Sequence, residues 1–563
     1  MISSPTHGSP ARGSLLRALL AGLVVLLPGC ASSPRADLVV YGRIWTADST
    51  RPWAGALATR GDTILAVGDS AAVAPLLGKS TTVISEPGAF VTPGFMDDHI
   101  HLRDGGFQLA SVDLRDADSP AEFTRRIKAF AATLKPGEWI TGGDWDHEKW
   151  PGTPLPDRAW IDSVTPANPV FVSRLDGHMA LANSLALVAA KLDRATREIP
   201  GGTIVRRKDG ELTGVFKDEA MNPVFAAIPE PSAEQTDSAL TRAMRHAASL
   251  GVTAAASVSA GWGSIASLKR LRAAGMLTFR VANFIALADW RSMADSVKAH
   301  GPGDDWIRVA GVKGFVDGSL GSTTALMLKP YLDAPRTTGL FVTPEDSLRA
   351  WIGAADSAGL QVVVHAIGDR ANALLLDIYD SVAKAHGPRD RRFRIEHAQH
   401  LRAEDIPRFK ALGVVASMQP YHAADDGRWA AKRIRPDLIK GTYAFRSLLD
   451  SDAKLVFGSD WTVAPMDPLL GLEAAVTRQT LDGKNPDGWV PEQKISVEEA
   501  IRAYTTTNAW AVFADGTRGA LRPGYRADLV VFDRDLTRVP PGELDRAKVR
   551  TTVVGGRIVF RAR

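Results

Sequence analysis

TPGFMDDHIHLR, residues 92–103, is the stretch from which the fold can be worked out. It begins with a Pro-Gly turn signal and passes through an apolar Phe-Met pair to His99 and His101. Side chains two residues apart on a β-strand point to the same face, so this strand directs two imidazoles into one interior. Neutral imidazole is the commonest protein ligand for metals, and the pair therefore indicates a metal site at the end of this strand.

The chain between residues 93 and 510 alternates strand-like and helix-like stretches, which is typical of parallel α/β proteins. Eight strand–helix units predict a (β/α)8 TIM barrel, in which the functional groups lie at the C-terminal ends of the strands. The predicted strands are GFMDDHIHL, VTAAASV, LTFRVANFIAL, IRVAGVKGFVD, LQVVVHAIGD, RFRIEHAQH, GVVASMQP and KLVFGSD.

Short strand patterns also occupy both ends of the chain, at residues 36–92 and 511–563. The sequence ADLVV occurs in both segments. We therefore expect one small β-sandwich domain built from both ends, with the barrel between its two parts. Residues 105–240 separate the first two barrel strands and contain a hairpin signal around an Asp-Gly turn. We expect this insertion to cover the barrel mouth and to shape a substrate pocket.

The overall composition is that of an ordinary globular protein, with 45% hydrophobic and 23% charged residues. The formal net charge of +4 is small for a chain of 563 residues. No long block of like charge suggests a surface for polyanions. The composition therefore argues against nucleic acid as a partner and is compatible with a small-molecule substrate.

The N-terminal residues 1–30 are typical of a targeting segment. Arg12 and Arg17 precede an apolar run at residues 18–27, which is too short to span a bilayer and fits a signal peptide. The following sequence LPGC resembles the lipobox of bacterial lipoproteins, although proline stands where a small residue is usual. Cys30 is the only cysteine, so no intramolecular disulfide can form. We expect an exported protein, either periplasmic or anchored to the cell envelope through a lipid on Cys30.

Residues with the chemistry of metal ligands occupy the ends of five predicted strands. Taken singly, each has an ordinary structural interpretation: a hydrogen-bonded core histidine, half of an ion pair, or a residue that orders a loop. Together they are not expected by chance at the mouth-facing ends of different strands, and they predict one metal centre. These residues are His99, His101, Lys313, His365, His397 and Asp460.

The motifs around these residues resemble the amidohydrolase superfamily: PGFMDDHIHL, VKGFVDGSLGS, VVVHAIGDRA, RIEHAQH and FGSDW. The resemblance extends from about residue 36 to the C-terminus and is strongest to family 3, which includes N-substituted formamide deformylase-like proteins. GHMALANS and GVKGFVDGSLGS point to this branch. One departure is Asp98, where a small residue is common, and we expect it to adjust the contacts behind the metal ligands.

The resemblance implies two divalent metal ions, bridged by the carboxylated side chain of Lys313. Burial beside cations disfavours the ammonium form of a lysine, and the neutral amine can form a carbamate. Nitrogen and oxygen ligands without thiolate favour Zn²⁺, with Mn²⁺, Fe²⁺ and Co²⁺ as alternatives. One metal would be held by His99, His101 and Asp460, and the other by His365 and His397.

The implied activity is hydrolysis of a carbon–nitrogen bond other than a peptide bond, in an amide, a cyclic amide or an N-substituted formamide. A hydroxide bridging the metals would attack the substrate carbonyl. Asp460 would act as the general base, and His178 in the motif RLDGHMALANS would hydrogen-bond the substrate oxygen. Trp145, Asp146 and Asp317 are expected to line the substrate pocket.

Three other functions remain open at this stage. A deaminase with one metal would typically carry a glutamate three residues after the histidine of the fifth strand, where this chain has Gly368. A two-metal esterase or lactonase would use the same ligands. A non-catalytic binding lipoprotein on the same fold is disfavoured because the ligand set is complete.

The N-terminal pattern gives a prediction about localisation. Expressed in bacteria with its native N-terminus, the protein should fractionate with membranes. Cys30→Ser should release it or block its processing, because the thiol is the site of acylation. Recovery of the wild type from the cytoplasm with residues 1–29 intact would contradict an export signal.

Overall fold

The computed structural model describes residues 35–563. The signal peptide and lipobox predicted at residues 1–30, including Cys30, lie outside the described residues. Within residues 35–563, no helix is both long enough and apolar enough to cross a membrane.

The described residues form 21 β-strands, arranged in three sheets. In chain order they are β1 (Leu38–Trp45), β2 (Trp53–Arg60), β3 (Thr63–Gly68), β4 (Thr82–Pro93), β5 (Phe95–Ile100), β6 (Val112–Asp113), β7 (Gly142–Trp145), β8 (Phe171–Arg174), β9 (Met179–Ala182), β10 (Gly202–Arg206), β11 (Leu212–Asp218), β12 (Val252–Ser257), β13 (Arg280–Ala286), β14 (Ile307–Phe315), β15 (Gln361–Ala366), β16 (Arg394–His397), β17 (Val415–Met418), β18 (Lys454–Phe457), β19 (Leu529–Phe532), β20 (Val549–Val554) and β21 (Arg557–Arg561).

The same residues form 18 α-helices. They are α1 (Ser70–Val73), α2 (Leu102–Gln108), α3 (Pro120–Ala131), α4 (Ala159–Asp162), α5 (Ser184–Ala189), α6 (Asn222–Ala227), α7 (Ala233–Ser249), α8 (Trp262–Ala273), α9 (Trp290–His300), α10 (Glu345–Ser357), α11 (Asp369–His386), α12 (Ile406–Leu412), α13 (Pro420–Asp426), α14 (Pro436–Ile439), α15 (Phe445–Asp450), α16 (Pro468–Thr477), α17 (Val497–Ala503) and α18 (Thr506–Ala511).

Eight parallel strands form the barrel, in the order β5, β12, β13, β14, β15, β16, β17, β18. They coincide with the eight runs predicted from the sequence, and the TIM-barrel prediction is confirmed. Strands such as β15, with the sequence QVVVHA, are buried at every position. A continuous apolar run of this kind suits a parallel strand that is covered by helices on one face and packed inside the barrel on the other.

The barrel closes between β5 and the end of β18. Asp460 N donates to His99 O at 2.7 Å, and His101 N donates to Trp461 O at 2.6 Å. The buried carboxylate of Asp97 reinforces this seam by accepting from Ser459 N at 2.9 Å and from Ser459 Oγ at 2.5 Å. These bonds fix the backbone at three predicted metal ligands, His99, His101 and Asp460.

The two chain ends form one seven-stranded sheet, in the order β21, β20, β19, β4, β1, β2, β3. Strand β19 from the C-terminal part pairs antiparallel with β4 from the N-terminal part. The repeated ADLVV segments lead into β1 and β19, whose apolar side chains are buried. The two-ended β-domain predicted from the sequence is therefore confirmed, and it takes the form of one continuous hydrogen-bonded sheet.

A single glycine connects this sheet to the barrel. Gly94 separates β4 from β5, and its N–H donates to Asp528 O at 3.0 Å. A Cβ at this position would lie 2.3 Å from the side chain of Thr253, so only glycine allows β5 to approach β12 this closely. The passage from the β-domain to the strand that carries His99 is thus rigidly held.

The insertion contains a six-stranded sheet in the order β10, β11, β9, β8, β7, β6. Its predicted hairpin is present: β10 and β11 pair antiparallel, and Gly210 in the turn has a φ of 88°. The insertion contacts the loops that follow the barrel strands. Arg115 donates to Thr462 O at 2.6 Å and to Val463 O at 2.7 Å, and Lys217 Nζ donates to Ser322 O at 2.8 Å.

Candidate metal centre

Three of the predicted ligands converge directly at the C-terminal end of the barrel. One ligand atom from each of His99, His397 and Asp460 lies within 4.8 Å of the others. Asp460 Oδ1 lies 3.1 Å from His101 Nε2 and 3.3 Å from His99 Nε2. A fourth predicted ligand, His101, therefore joins the same group.

The backbone turns sharply at two of these residues. His397 has a φ of 72° and Asp460 a φ of 58°, so both adopt the left-handed conformation that residues other than glycine seldom adopt. Each lies at or just after the end of its strand, where the turn directs the side chain towards the barrel axis. Such strain is found where the surrounding structure holds a functional side chain in place.

Ionisation of Asp460 is supported by its neighbours. Burial alone would raise its pKa, but the imidazoles of His99, His101 and His397 hold the pKa of Asp460 well below its ordinary value. The carboxylate therefore remains charged at neutral pH, as a metal ligand or a general base must.

Lys313 extends from β14 into this group. Its Nζ lies 3.3 Å from His99 Nε2 and 4.7 Å from the centroid of the Phe315 ring. Burial is the main cause that lowers the pKa of Lys313 to about 8, even though Glu396 and Asp460 act in the opposite direction. The neutral amine, which carbamate formation requires, is thus accessible near physiological pH.

Hydrogen-bond acceptors behind the histidines orient their rings. The Nδ1 atoms of three histidines each contact an oxygen of a neighbouring side chain, and in His99 and His101 this leaves Nε2 turned towards Asp460. Metal-binding histidines are typically held in this way, which fixes the tautomer and raises the basicity of the ligand. The donor set therefore fits a divalent metal. The pairs are His99 with Glu396, His101 with Ser259 at 2.8 Å and His397 with Gln419 at 2.8 Å.

A buried charged chain supports Glu396 in turn. Arg394 Nε donates to Glu396 Oε1 at 2.8 Å, and Arg394 Nη1 lies 3.0 Å from Asp98 Oδ2. Burial would raise the pKa of Glu396, but Arg394 and His99 lower it well below its usual value. Asp98, the unusual residue before His99, thus contacts Arg394 behind the predicted ligands, and its effect on those ligands stays a prediction.

His365 and His178 lie beside the converging group. The ring of His365 is centred 4.5 Å from that of His397 and 5.1 Å from that of His178. His365 Nε2 lies 3.0 Å from Gly318 O, which leaves Nδ1 as the nitrogen for a metal. His178 Nδ1 lies 2.6 Å from Asp218 Oδ1. Burial opposes the charged form of His178, but the bond with Asp218 raises its pKa above the ordinary value.

The three predicted pocket residues have different positions. Trp145 is fully buried in the core of the insertion, where its indole N–H donates to Val172 O at 2.8 Å, so it does not line a pocket. Asp146 is also buried and pairs with Arg174 at 3.0 Å and Arg428 at 3.2 Å. Both residues help to hold the insertion rather than to face the metal ligands.

Asp317 is closer to the centre. Its carboxylate accepts backbone N–H bonds from Leu326 at 2.7 Å, Ile367 at 3.0 Å and Gly368 at 2.9 Å, and one oxygen lies 3.5 Å from His365 Nε2. Burial raises the pKa of Asp317 to about 7 despite these bonds. The residue orders the loops after β14 and β15 and so positions His365.

Several residues of the site were not identified from the sequence. Glu396 and Arg394 lie in RIEH, next to a predicted ligand, and two charged residues on one face of a buried strand are a usable signal. Asp218 and Gln419 carry no comparable signal, because their contacts depend on how the insertion and the loop after β17 pack against the barrel.

Comparison with known proteins was consistent with this geometry. The model of the Amidohydrolase family matches residues 83–560. The protein LONG AFTER FAR-RED 3 of Arabidopsis thaliana is 39% identical over 548 residues, which covers 93% of this chain and 91% of that protein. An N-substituted formamide deformylase of Arthrobacter pascens is 26% identical over 536 residues, covering 92% of this chain and 97% of the relative.

A solved structure gives the same result for the fold. An uncharacterised metal-dependent hydrolase from Pyrococcus horikoshii superposes with a TM-score of 0.73 at 29% identity. The match covers 90% of this chain and 99% of the archaeal chain. The likeness therefore includes the barrel, the insertion and the two-ended sheet.

The contact between Glu396 and His99 gives a prediction. Glu396→Gln keeps an oxygen acceptor for His99 Nδ1 but removes its charge, while Arg394 still pairs with Asp98. We expect the variant to fold and its metal affinity to fall by about 10–100-fold, the usual effect of losing such a partner. Chelator competition with elemental analysis measures this. Glu404→Gln, at a 65% exposed side chain, is the control, and equal metal retention in both variants would contradict the role of Glu396.

Proposed function

The chain belongs to the amidohydrolase family, and from this premise we propose that it hydrolyses a carbon–nitrogen bond other than a peptide bond in a small-molecule amide, using two divalent metal ions and a carboxylated Lys313. At the coarser level, the chain is a metal-dependent hydrolase of the amidohydrolase superfamily. The proposal concerns three further points: the type of bond that is hydrolysed, the number of metal ions and the carboxylation of Lys313.

The observation that carries the proposal is the position of Lys313. A buried amine 3.3 Å from His99 Nε2 has no reason to be retained in a centre with one metal, where it would only repel the cation. As a carbamate it becomes an anionic oxygen ligand between the ligands of two metals. This would explain why a lysine stands at the end of β14, among five residues with the chemistry of metal ligands.

The pattern of the family divides the remaining ligands into two groups, whereas the geometry alone places His397 with His99 and Asp460. His99, His101 and Asp460 lie together and would hold one metal, while His365 and His397, with ring centroids 4.5 Å apart, would hold the other. Divalent metals bound here supply Lewis acidity and make a water molecule acidic enough to react near neutral pH. Zn²⁺ suits the nitrogen and oxygen donors best.

Asp460 is the proposed general base. Its carboxylate is ionised, is 5% exposed, and faces the interior where a water and a substrate carbonyl would meet. It accepts the proton of the attacking water and then transfers it to the leaving nitrogen, which makes the amine a viable leaving group.

His178 is the proposed stabiliser of the negative charge that develops on the substrate oxygen. Asp218 holds its Nδ1 at 2.6 Å and raises its pKa, which favours the charged imidazole, whose Nε2–H can donate a hydrogen bond next to His365. A donor that is already oriented and desolvated stabilises a developing oxyanion more than water does.

Two observations favour an amide over the alternatives. The similar deformylase of Arthrobacter pascens acts, by its name, on N-substituted formamides, which supports carbon–nitrogen chemistry in this chain. A deaminase-type glutamate has no room at position 368, because even a Cβ on Gly368 would lie 2.0 Å from Leu326 O. Ester or lactone hydrolysis needs the same residues and is separated by experiment.

The proposal is tested by a hydrolysis screen with the metal-loaded protein over N-substituted formamides, N-acyl amines, N-acyl amino acids and lactones, combined with elemental analysis. We expect turnover of an amide and two metals per chain. Asp460→Asn keeps an oxygen ligand and should retain most of the metal, while kcat falls by at least ~10²-fold, as is usual on loss of a general base. Turnover of lactones alone would overturn the amide assignment, and one metal in active protein would overturn the two-metal centre.

Lys313 gives a separate prediction. Lys313→Ala should lose activity and at least one metal, and acetate or formate should restore part of both by replacing the carbamate oxygens. Lys313→Arg should be inactive, because a guanidinium cannot lose its proton in a protein. Lys298→Ala, at an exposed position on α9, is the matched control. A high-resolution map with an unmodified ammonium at Lys313 in active, metal-loaded enzyme would contradict the carbamate.

A further inference from the structure

His422 is a histidine beside the metal ligands that has no role so far. It lies in α13, which begins directly after Gln419, the residue that holds His397 Nδ1 at 2.8 Å. The imidazole of His422 is nearly parallel to that of His397, with an interplanar angle of 10° and a centroid distance of 6.3 Å. The ring is thus held at a defined position relative to a predicted ligand.

The Nε2 atom of His422 is buried and has no hydrogen-bond partner among residues 35–563. A buried polar atom without a partner costs free energy, and most such atoms in proteins are paired with protein or with ordered water. The other histidines of the centre follow that rule: in the described residues, none of them has a buried ring nitrogen without a hydrogen-bond partner. The exception at His422 therefore points to a partner that is not part of the described chain.

The surroundings of His422 show where that partner would lie. Asp460 on the barrel side, and Arg115 and Asp176 in the insertion, are within electrostatic reach of its ring. Because α13 follows β17, His422 lies at the C-terminal end of the barrel, with its ring beside that of the predicted ligand His397. A substrate whose reacting carbonyl is at the predicted ligands must lie at this end of the barrel.

We propose that His422 is a substrate-binding residue, whose Nε2 forms a hydrogen bond with a polar group of the substrate beside the scissile amide. The inference rests on the proposed function and adds a substrate class to it. The preferred substrates carry a hydroxyl, amide or carboxylate group next to the reacting carbon–nitrogen bond. A substrate with an apolar group of equal size leaves Nε2 unpaired and binds less well, since a site built for hydrogen bonding discriminates against analogues that lack the bond.

Two substitutions separate hydrogen bonding from packing. His422→Phe keeps a ring against His397 and removes the nitrogen, whereas His422→Gln removes the ring and keeps an N–H group and an oxygen at similar reach. The experiment uses a pair of substrates of equal size, one with the polar group and one with an apolar replacement. KM, kcat and metal content are measured for the wild type and both variants.

For the polar substrate we expect His422→Phe to raise KM about tenfold with little change in kcat, because a bond made equally in the ground and transition states affects binding alone. His422→Gln should stay close to the wild type. For the apolar substrate, the wild type and His422→Phe should have the same KM. Metal content should be unchanged in both variants.

His400→Gln is the matched control. This buried histidine has both nitrogens partnered, Nδ1 with Thr442 Oγ1 at 2.9 Å and Nε2 with Gln399 Nε2 at 3.3 Å. Its substitution should lower the thermal midpoint without changing the ratio of KM between the two substrates. That pattern is what a merely structural histidine gives.

Several outcomes overturn the proposal. An unchanged KM in His422→Phe on the polar substrate shows that Nε2 does not bind it. Equal damage in both variants, together with lost metal, shows that the ring only supports His397. Failure of the proposed function gives a different result, because the protein then hydrolyses lactones and not amides. The comparison of His422 variants is in that case repeated with one polar and one apolar lactone. If no substrate is turned over, each substrate of the pair is titrated into the Asp460→Asn variant by calorimetry, and Kd is compared instead of KM. If neither substrate binds, the proposed role of His422 is also overturned.

Discussion

The ionised carboxylate of Asp460, enclosed by three imidazoles at the end of the barrel, is the constraint on which the rest of the site depends. A charge buried in this way is tolerated only where compensating groups are held against it. The compensation comes from β5 and β16, whereas Asp460 follows β18. The three strand ends must therefore lie in register. The hydrogen bonds between Asp460 N and His99 O and between His101 N and Trp461 O fix the ends of β5 and β18, and β16 is held by its pairing with β15 and β17.

The support for this arrangement continues into the barrel interior. Asp98, Arg394 and Glu396 are each buried, and the single guanidinium lies between the two carboxyl groups. Arg394 and His99 lower the pKa of Glu396, whereas burial raises the pKa of Asp98 well above its usual value. Glu396 then acts on His99 through Nδ1. The result is a ligand whose orientation and basicity are set by residues that never contact a metal. Asp98 contributes because Arg394 is shared between two carboxylates, which ties the residue before the first ligand pair to the strand that carries His397.

The sequence predicted those candidate functional residues that lie at the ends of regular barrel strands. The eight barrel strands were predicted from their apolar runs. The six candidate ligands were proposed because strand ends of a TIM barrel face one mouth, and the structure places His99, His397 and Asp460 together. The insertion was less predictable. Trp145 was expected at a pocket, but it packs with Phe123 and Trp150 in a separate core, because the insertion has its own sheet to cover. Asp218 and His422 were missed, since their roles depend on contacts between distant segments.

The division of labour between barrel and insertion explains this difference. The barrel carries the candidate metal ligands, and the insertion carries His178 and, through Asp218, orients its ring. The two parts are mechanically linked, because Arg115 binds the carbonyls of the loop just after Asp460 and Lys217 binds the loop after β14. Changes at these contacts can therefore shift the loops beside the predicted ligands, whereas changes elsewhere in the insertion leave the barrel strands in place. One hydrolytic centre is then compatible with different substrates. The sequence motifs therefore point to the proposed metal chemistry, whereas the substrate has to be inferred from groups outside those motifs, such as the proposed substrate-binding residue His422.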